Sequence, residues 1–545
     1  MRQILIILIL VVLGIACSKT DTTEQVFYVN NITGSDSNDG LSPGSAWKSL
    51  EKASNNIYTK GEQLLLCKGC TFIGKLELKA EGSKEKPVIV SSYDSDNPDA
   101  ALPVIDASGF IAGIHIKNSH NIEVSNIEIT ADAGTPVDEK AKTVRYGVLI
   151  EADQPGIQPN ITLVNLNIHD IFATEGVKKD GQNLTSNLGY GISVAMKNKN
   201  ARIRKLKIED CSIEKTGHTG IRISGFGNNT GSTYLEDVTI VNNRLSHIGG
   251  PGMVPARCEN VVVRGNVVDH SGSSIDPRMH ARGSGIWPWT CNNVLIEKNK
   301  FMHARGKADS CGAHIDFNCN NVVVQYNLSM DNAGGFVEIL GNDHNCCYRY
   351  NISINDGFRE KGENGAHQEG KVLWTSGYVG SGNKKHGPYN SYIYNNTVFV
   401  KEDIRSCFSF TRTTEGILIA NNIFYIMGET ADVSGDQDTQ VEDNSLMIKN
   451  AIFKNNLFQK TDILPSSLII KDTEPLTGDP MFASAGGTAP EDYIPGDVEL
   501  IKDKGIKIKK LPGDEIGLTI GLEVEADYFG NPITGLPDLG AIELK

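Results

Sequence analysis

Several things are scarce in this 545-residue chain, and each scarcity removes a class of protein. No stretch carries a 3.6-residue apolar stripe, and no leucine framework recurs, which argues against helical and leucine-rich repeats. Aromatic residues make up only 7% of the chain, too few for the aromatic signatures of propeller blades. Cationic excess is missing: 52 Lys and Arg against 66 Asp and Glu leave a net charge of -14, which excludes general nucleic-acid binding. No GxGxxG stands at a strand-to-helix junction, and neither GxxxxGK[ST] nor a GxSxG elbow is found, so no nucleotide cofactor and no serine nucleophile is expected. The cysteines lack zinc-type spacing. Cys67-Lys68-Gly69-Cys70 is a lone CxxC, readable as a disulfide or as two buried thiols.

What is present starts with a targeting segment. Arg2 is followed by the apolar run Ile4 to Ile15, too short to span a bilayer. Leu13-Gly14-Ile15-Ala16 then precedes Cys17, a bacterial lipobox pattern. Residues 1–17 are expected to be the signal with Cys17 lipidated, and 18–25 a polar tether. The body is expected outside the cytoplasm as a monomer, held to the membrane by lipid only.

The strongest internal signal is a repeat. Asp237 to Asn243, Asn260 to Asn266, Asn293 to Asn299 and Asn321 to Asn327 all read (Asn/Asp)-Val-x-(Ile/Val)-x-x-Asn. Alternating β-branched residues punctuated by Gly and Asn make short strands. A unit near 23 residues holds three of them, and stacked units pair strand on strand. The expected fold is all-β: a right-handed parallel β-helix. The recurrent Asn suits a left-handed corner and an amide ladder from coil to coil. Residues 26–110 read as an N-terminal cap with the first coils, 111–475 as the solenoid and 476–545 as a closing segment. The Asp36-Ser-Asn-Asp39 loop is readable as a calcium loop or a plain polar turn. No metal or cofactor is predicted.

Stacking the coils points to a site. Aligning Asn293 with Asn321 lays Ser284 to Cys291 over Gly312 to Cys319, which puts Cys291 on Cys319 and Trp289 on Phe317. Alternation then turns His314 and Asp316 outward, with Ile315 and Phe317 inward. Glu338 in the next coil is expected outward, near Asp316. Paired carboxylates on one face are what glycoside cleavage needs, one protonated and one ionised. Asp316, Glu338 and Asp309 are therefore the catalytic candidates. Trp287, Trp289, His303, Arg305, His314, His367 and Arg412 are candidates for substrate binding, although Trp289 aligns with core-facing Phe317. Basic residues gather between Arg278 and Arg412, which would suit an acidic glycan.

Ser284-Gly-Ile-Trp-Pro-Trp289, the Asn repeat, Ala304-Arg-Gly306, Asp309 to Cys319 and Asp331-Asn-Ala-Gly-Gly-Phe336 resemble bacterial right-handed β-helix proteins similar to glycoside hydrolase family 141. That resemblance implies a hydrolase acting on a polysaccharide. The related pattern carries a third acid between positions matched here by Asp309 and Asp316, and His314 stands in its place. A polysaccharide lyase cleaving a uronate-containing glycan by β-elimination is the alternative, with Lys307, His314, Arg305 or Lys371 as base. A non-catalytic glycan-binding lipoprotein is the third reading.

Overall fold

The computed structural model describes residues 24–94, 99–178, 185–186, 188–228, 231–436 and 445–545. Cys17, the signal and all but the last two residues of the tether lie outside them.

Strand-forming triplets wind into coils whose strands pair in parallel with the coils before and after. Two 14-stranded sheets result, one running from Val26–Val29 to Lys449–Lys454 and one from Thr71–Ile73 to Leu476–Thr477. The third wall is a seven-stranded sheet ending at Met253–Ala256, followed by a four-stranded sheet beginning at Gly335–Ile339. Between these two, the wall shrinks to isolated bridges at Ile286, Ala313 and Ile315. The solenoid fold expected from the repeat is the one observed. Its core is filled by stacked aliphatic columns such as Leu206, Val238, Val261, Val294 and Val322, all nearly inaccessible. Among the described residues, no helix is long and apolar enough to cross a membrane.

The first residue of each repeat combines both expected roles. It takes the left-handed corner, with φ 58° at Asp237, 56° at Asn260, 53° at Asn293 and 56° at Asn321. Asn260 Nδ2 also donates to Asp237 at 3.2 Å, Asn293 to Asn260 at 3.3 Å and Asn321 to Asn293 at 3.0 Å. The last Asn forms a second, buried ladder. Asn243 Nδ2 donates to Asn266 Oδ1 at 3.0 Å, Asn266 to Asn299 at 2.9 Å, Asn299 to Asn327 at 3.0 Å and Asn327 to Asn351 at 3.0 Å. The ladder then continues through Asn396, Asn422 and Asn456.

Cys67 and Cys70 are buried free thiols, like the other eight cysteines described. The Asp36–Asp39 loop is a polar turn: Asp36 Oδ1 accepts the N–H groups of Lys48 and Ser49, and Asp39 Oδ1 accepts those of Leu41 and the Ser45 hydroxyl. The chain after residue 500 returns along the solenoid. Its Asp514 accepts from Asn345 and Tyr392, its Leu522 carbonyl accepts from Tyr394, and Ala541 N–H donates to Thr397. These contacts cover the outer faces of the first and second sheets.

Candidate active site

The interrupted stretch of the third wall is where titratable groups collect. Met253 pairs with Ile286, Ile286 with Ala313, and Ile315 with Ile339, so these side chains fill the core. Their outward neighbours then line up as Trp287, His314, Glu338 and Trp374. Trp287 sits 5.0 Å from the His314 ring, and His314 Nδ1 lies 3.6 Å from Glu338 Oε2.

This register corrects the one expected from sequence. Asn292 does face Asn320, but Ile286 faces Ala313 rather than His314. The later coil holds one more residue between these points, and its chain bends at Phe317 and left-handed Asn318 (φ 64°). The slip has three consequences. Ile286 turns inward and Trp287 outward onto His314. Glu338 stands beside His314 rather than beside Asp316. Trp289 and Phe317 leave the main core and form an outer apolar cluster with Leu340, Val379 and Tyr378. The outward residues are also more covered than a bare strand face, and Cys311 of the 303–312 loop bonds directly to Glu338. His314 is 2% exposed and Glu338 3%, whereas Asp309 and Asp316 remain partly accessible.

The surroundings split the carboxyls by charge. Burial would raise the Asp309 pKa, but Arg282 grips both of its oxygens, at 2.6 and 3.2 Å, and holds it below the usual carboxylate range. Arg359 donates to the Asp309 and Gly306 carbonyls at 3.0 and 3.3 Å and so fixes this loop. Asp316 has no directly paired cation among the described residues; burial, aided by the Asp309 charge, lifts it to about 7. Glu338 is lifted to about 8, first by burial and then by Asp309, and accepts the Cys311 thiol at 3.2 Å. Burial pushes His314 down to about 4, so it is neutral, with Nδ1 2.9 Å from Ser284 Oγ. At neutral pH the group thus holds one firmly ionised carboxylate, one protonated carboxyl and one poised between the two states.

The remaining sequence candidates lie outside this recess. His303 sits at the corner of the second sheet, with Nδ1 2.7 Å from Asp269 Oδ1. Arg305 lines a neighbouring cavity of about 440 Å³ together with Lys307 and Phe358, its guanidinium 5.0 Å from the Phe358 ring. His367 is exposed on its loop, and Arg412 donates to the Leu446 carbonyl at 3.2 Å. Sequence reasoning missed Arg282, Cys311, Ser284 and Arg359 as parts of the site. Ser284 shares the parity of inward-facing Ile286, so alternation does not bring it to His314, and nothing in the sequence pairs Arg282 with Asp309, 27 residues on.

A family model described as "Right handed beta helix region" matches residues 190–398. A curated lacto-N-biosidase of Bifidobacterium longum subsp. longum is 25% identical over 97% of this chain, which spans 37% of that protein's length. The GH136 lacto-N-biosidase of Eubacterium ramulus superposes with TM-score 0.54 at 22% identity, over 75% of this chain and 67% of that one. XylC in complex with xylose superposes with TM-score 0.52 at 11% identity, over 96% of this chain and 98% of its own. The expected likeness to bacterial β-helix carbohydrate-active proteins stands, with family 136 rather than family 141 as the named relative. The chain is a right-handed parallel β-helix, similar in sequence and fold to bacterial lacto-N-biosidases.

Proposed function

We propose that the chain is a glycoside hydrolase in which Asp316 protonates the leaving oxygen and Asp309 acts as the ionised carboxylate. One observation carries this reading: two partly accessible carboxyls lie near enough for the Asp309 charge to act on Asp316, and of the two only Asp309 is clamped by a cation. Glycoside cleavage needs that division of labour. Glu338, buried and bonded to Cys311, is a positioning residue that keeps negative charge away from Asp316 while it stays protonated. Trp287, half-buried over His314, offers the apolar ring surface against which a sugar packs.

Less supports β-elimination. Lys371, one base considered for it, is wholly buried, 3.1 Å from Asp436 and 3.0 Å from the Glu369 carbonyl. The similarity to lacto-N-biosidases makes aryl lacto-N-biosides and lacto-N-biose-capped oligosaccharides the first substrates to try. Products that have gained water support the reading; products carrying a new C=C bond overturn it. We further propose that the protein works in the cell envelope, tethered through lipidated Cys17. Cys17→Ser should release it from membranes, and retention of the variant would contradict the tether.

Two predictions follow from the charge pattern. Activity should be bell-shaped in pH, falling as pH rises through about 7, where Asp316 loses its proton. Arg282→Met removes the cation that depresses Asp309, so the acidic limb should move up and the bell narrow. A pH–rate series on both proteins checks this. Glu338→Gln copies the protonated carboxyl and is expected to stay within about tenfold of wild-type kcat, far above the loss general acid–base residues produce.

A further inference from the structure

We propose that Asp269, His270 and His303 form a divalent transition-metal site that pins together the two loops carrying Arg282 and Asp309. Asp269 and His270 close the strand Val267–Ser271, and His303 follows the strand Lys300–Met302 that pairs with it. His270 and His303 both hold left-handed corner positions, φ 60° and 56°, so their rings lie on adjacent coils with centroids 4.9 Å apart, tilted by 33°. His247, one coil earlier at φ 52°, lies 4.9 Å from His270 and nearly parallel to it, which steadies that ring.

Three donor atoms converge. Asp269 Oδ1 lies 2.7 Å from His303 Nδ1 and 2.8 Å from His270 Nδ1. One donor atom from each of the three side chains lies within 4.8 Å of the others. His270 Nδ1 is buried and makes no aligned hydrogen bond despite that short approach. A buried ring nitrogen close to a carboxylate oxygen with no hydrogen bond between them is the arrangement a shared cation resolves. Zinc-type bonds of about 2.0–2.2 Å would need the donors about 3.3 Å apart, a small opening for side chains that are only partly buried. Asp331 Oδ2 stands 3.8 Å from His303 Nε2, on the side where a metal-bound imidazole takes its orienting carboxylate. Two imidazoles and one carboxylate suit zinc, cobalt, nickel or copper rather than calcium.

The position gives such a site a consequence. The chain leaves Asp269 and His270 directly into the loop that carries Arg282, and leaves His303 into the loop that carries Asp309. Arg305 N–H already donates to the Ser271 carbonyl at 2.9 Å, and Arg282 bridges Gly306. A bound cation would fasten both loop entries to one point and so steady the Arg282–Asp309 pair.

The test is titration of chelator-treated full-length protein with Co²⁺ alone and with Zn²⁺ alone. It reads metal binding and stands apart from the hydrolase proposal. One equivalent should bind, with the visible bands of low-coordinate cobalt and a rise in Tm. His270→Ala, His303→Ala and Asp269→Asn should each weaken binding roughly tenfold or more, with unchanged circular dichroism and no metal-dependent rise in Tm. The proposal is overturned if the protein takes up no metal even at millimolar concentration, or if the triple variant binds as wild type does. A thiolate-to-metal charge-transfer band also overturns it, since it would put the ion at the other donor group, Cys311, His314 and Glu338.

Discussion

Asp316→Asn is expected to lower kcat about 100- to 10,000-fold, the range general acid–base groups supply, with KM changed little. The asparagine keeps the shape of the carboxyl and can still accept the Phe317 N–H that Asp316 accepts at 2.8 Å. It cannot deliver a proton. Asp309→Asn should fall by a similar factor, and the double variant should be little worse than either single one, because groups that act as a unit are not additive. The Asp316 variant also has a predicted stability signature. A carboxyl whose folded pKa is raised contributes its full stability below its unfolded value near 4 and loses it as pH rises through about 7. The variant should therefore match wild type only at about pH 4 and below, melt progressively higher than wild type as pH rises from there, and keep its full advantage above about pH 7. A residue that gains stability when its chemistry is removed is one kept for function.

Asn327→Ala should be the most damaging substitution of similar size in the solenoid, costing roughly 3–5 kcal/mol. Asn327 Oδ1 accepts the backbone N–H and the amide of Asn299, and its own amide serves the Ile296 and Gln325 carbonyls. Alanine strands two or three of these buried groups, at about 1–3 kcal/mol each. Asn293→Gly is the contrast. Asn293 takes the left-handed corner, where glycine is at ease, and the amide bonds it loses, to Asn260 and from Asn321, are not fully buried, so the change should cost only about 1 kcal/mol. Denaturant midpoints for the two variants give the comparison, read as midpoints because long repeat arrays can melt in parts.

The fold was legible because its determinants are local and repeated. Val, Ile and Asn at fixed offsets specify strand, corner and ladder without reference to distant chain. The closing segment's route was not, since Asp514 meets Asn345 and Tyr392 across more than a hundred residues. Half of the site follows the same logic. Asp316 and His314 come outward because Ile315 and Ala313 go inward. The other half depends on coil length: the one extra residue near Asn318 decides which residue Glu338 faces, and sequence alignment without gaps cannot register it. Arg282 and Asp309 sit in loops with no repeat at all, so only the folded chain joins them.

A crystal structure of the Asp316→Asn variant with a bound oligosaccharide would test the central claim most directly. The account predicts the scissile glycosidic oxygen within about 2.6–3.2 Å of the residue-316 side chain, with Asp309 facing the same sugar and Trp287 against its ring. A glycan seated on another wall of the solenoid, or a residue 316 with no access to it, would contradict the account.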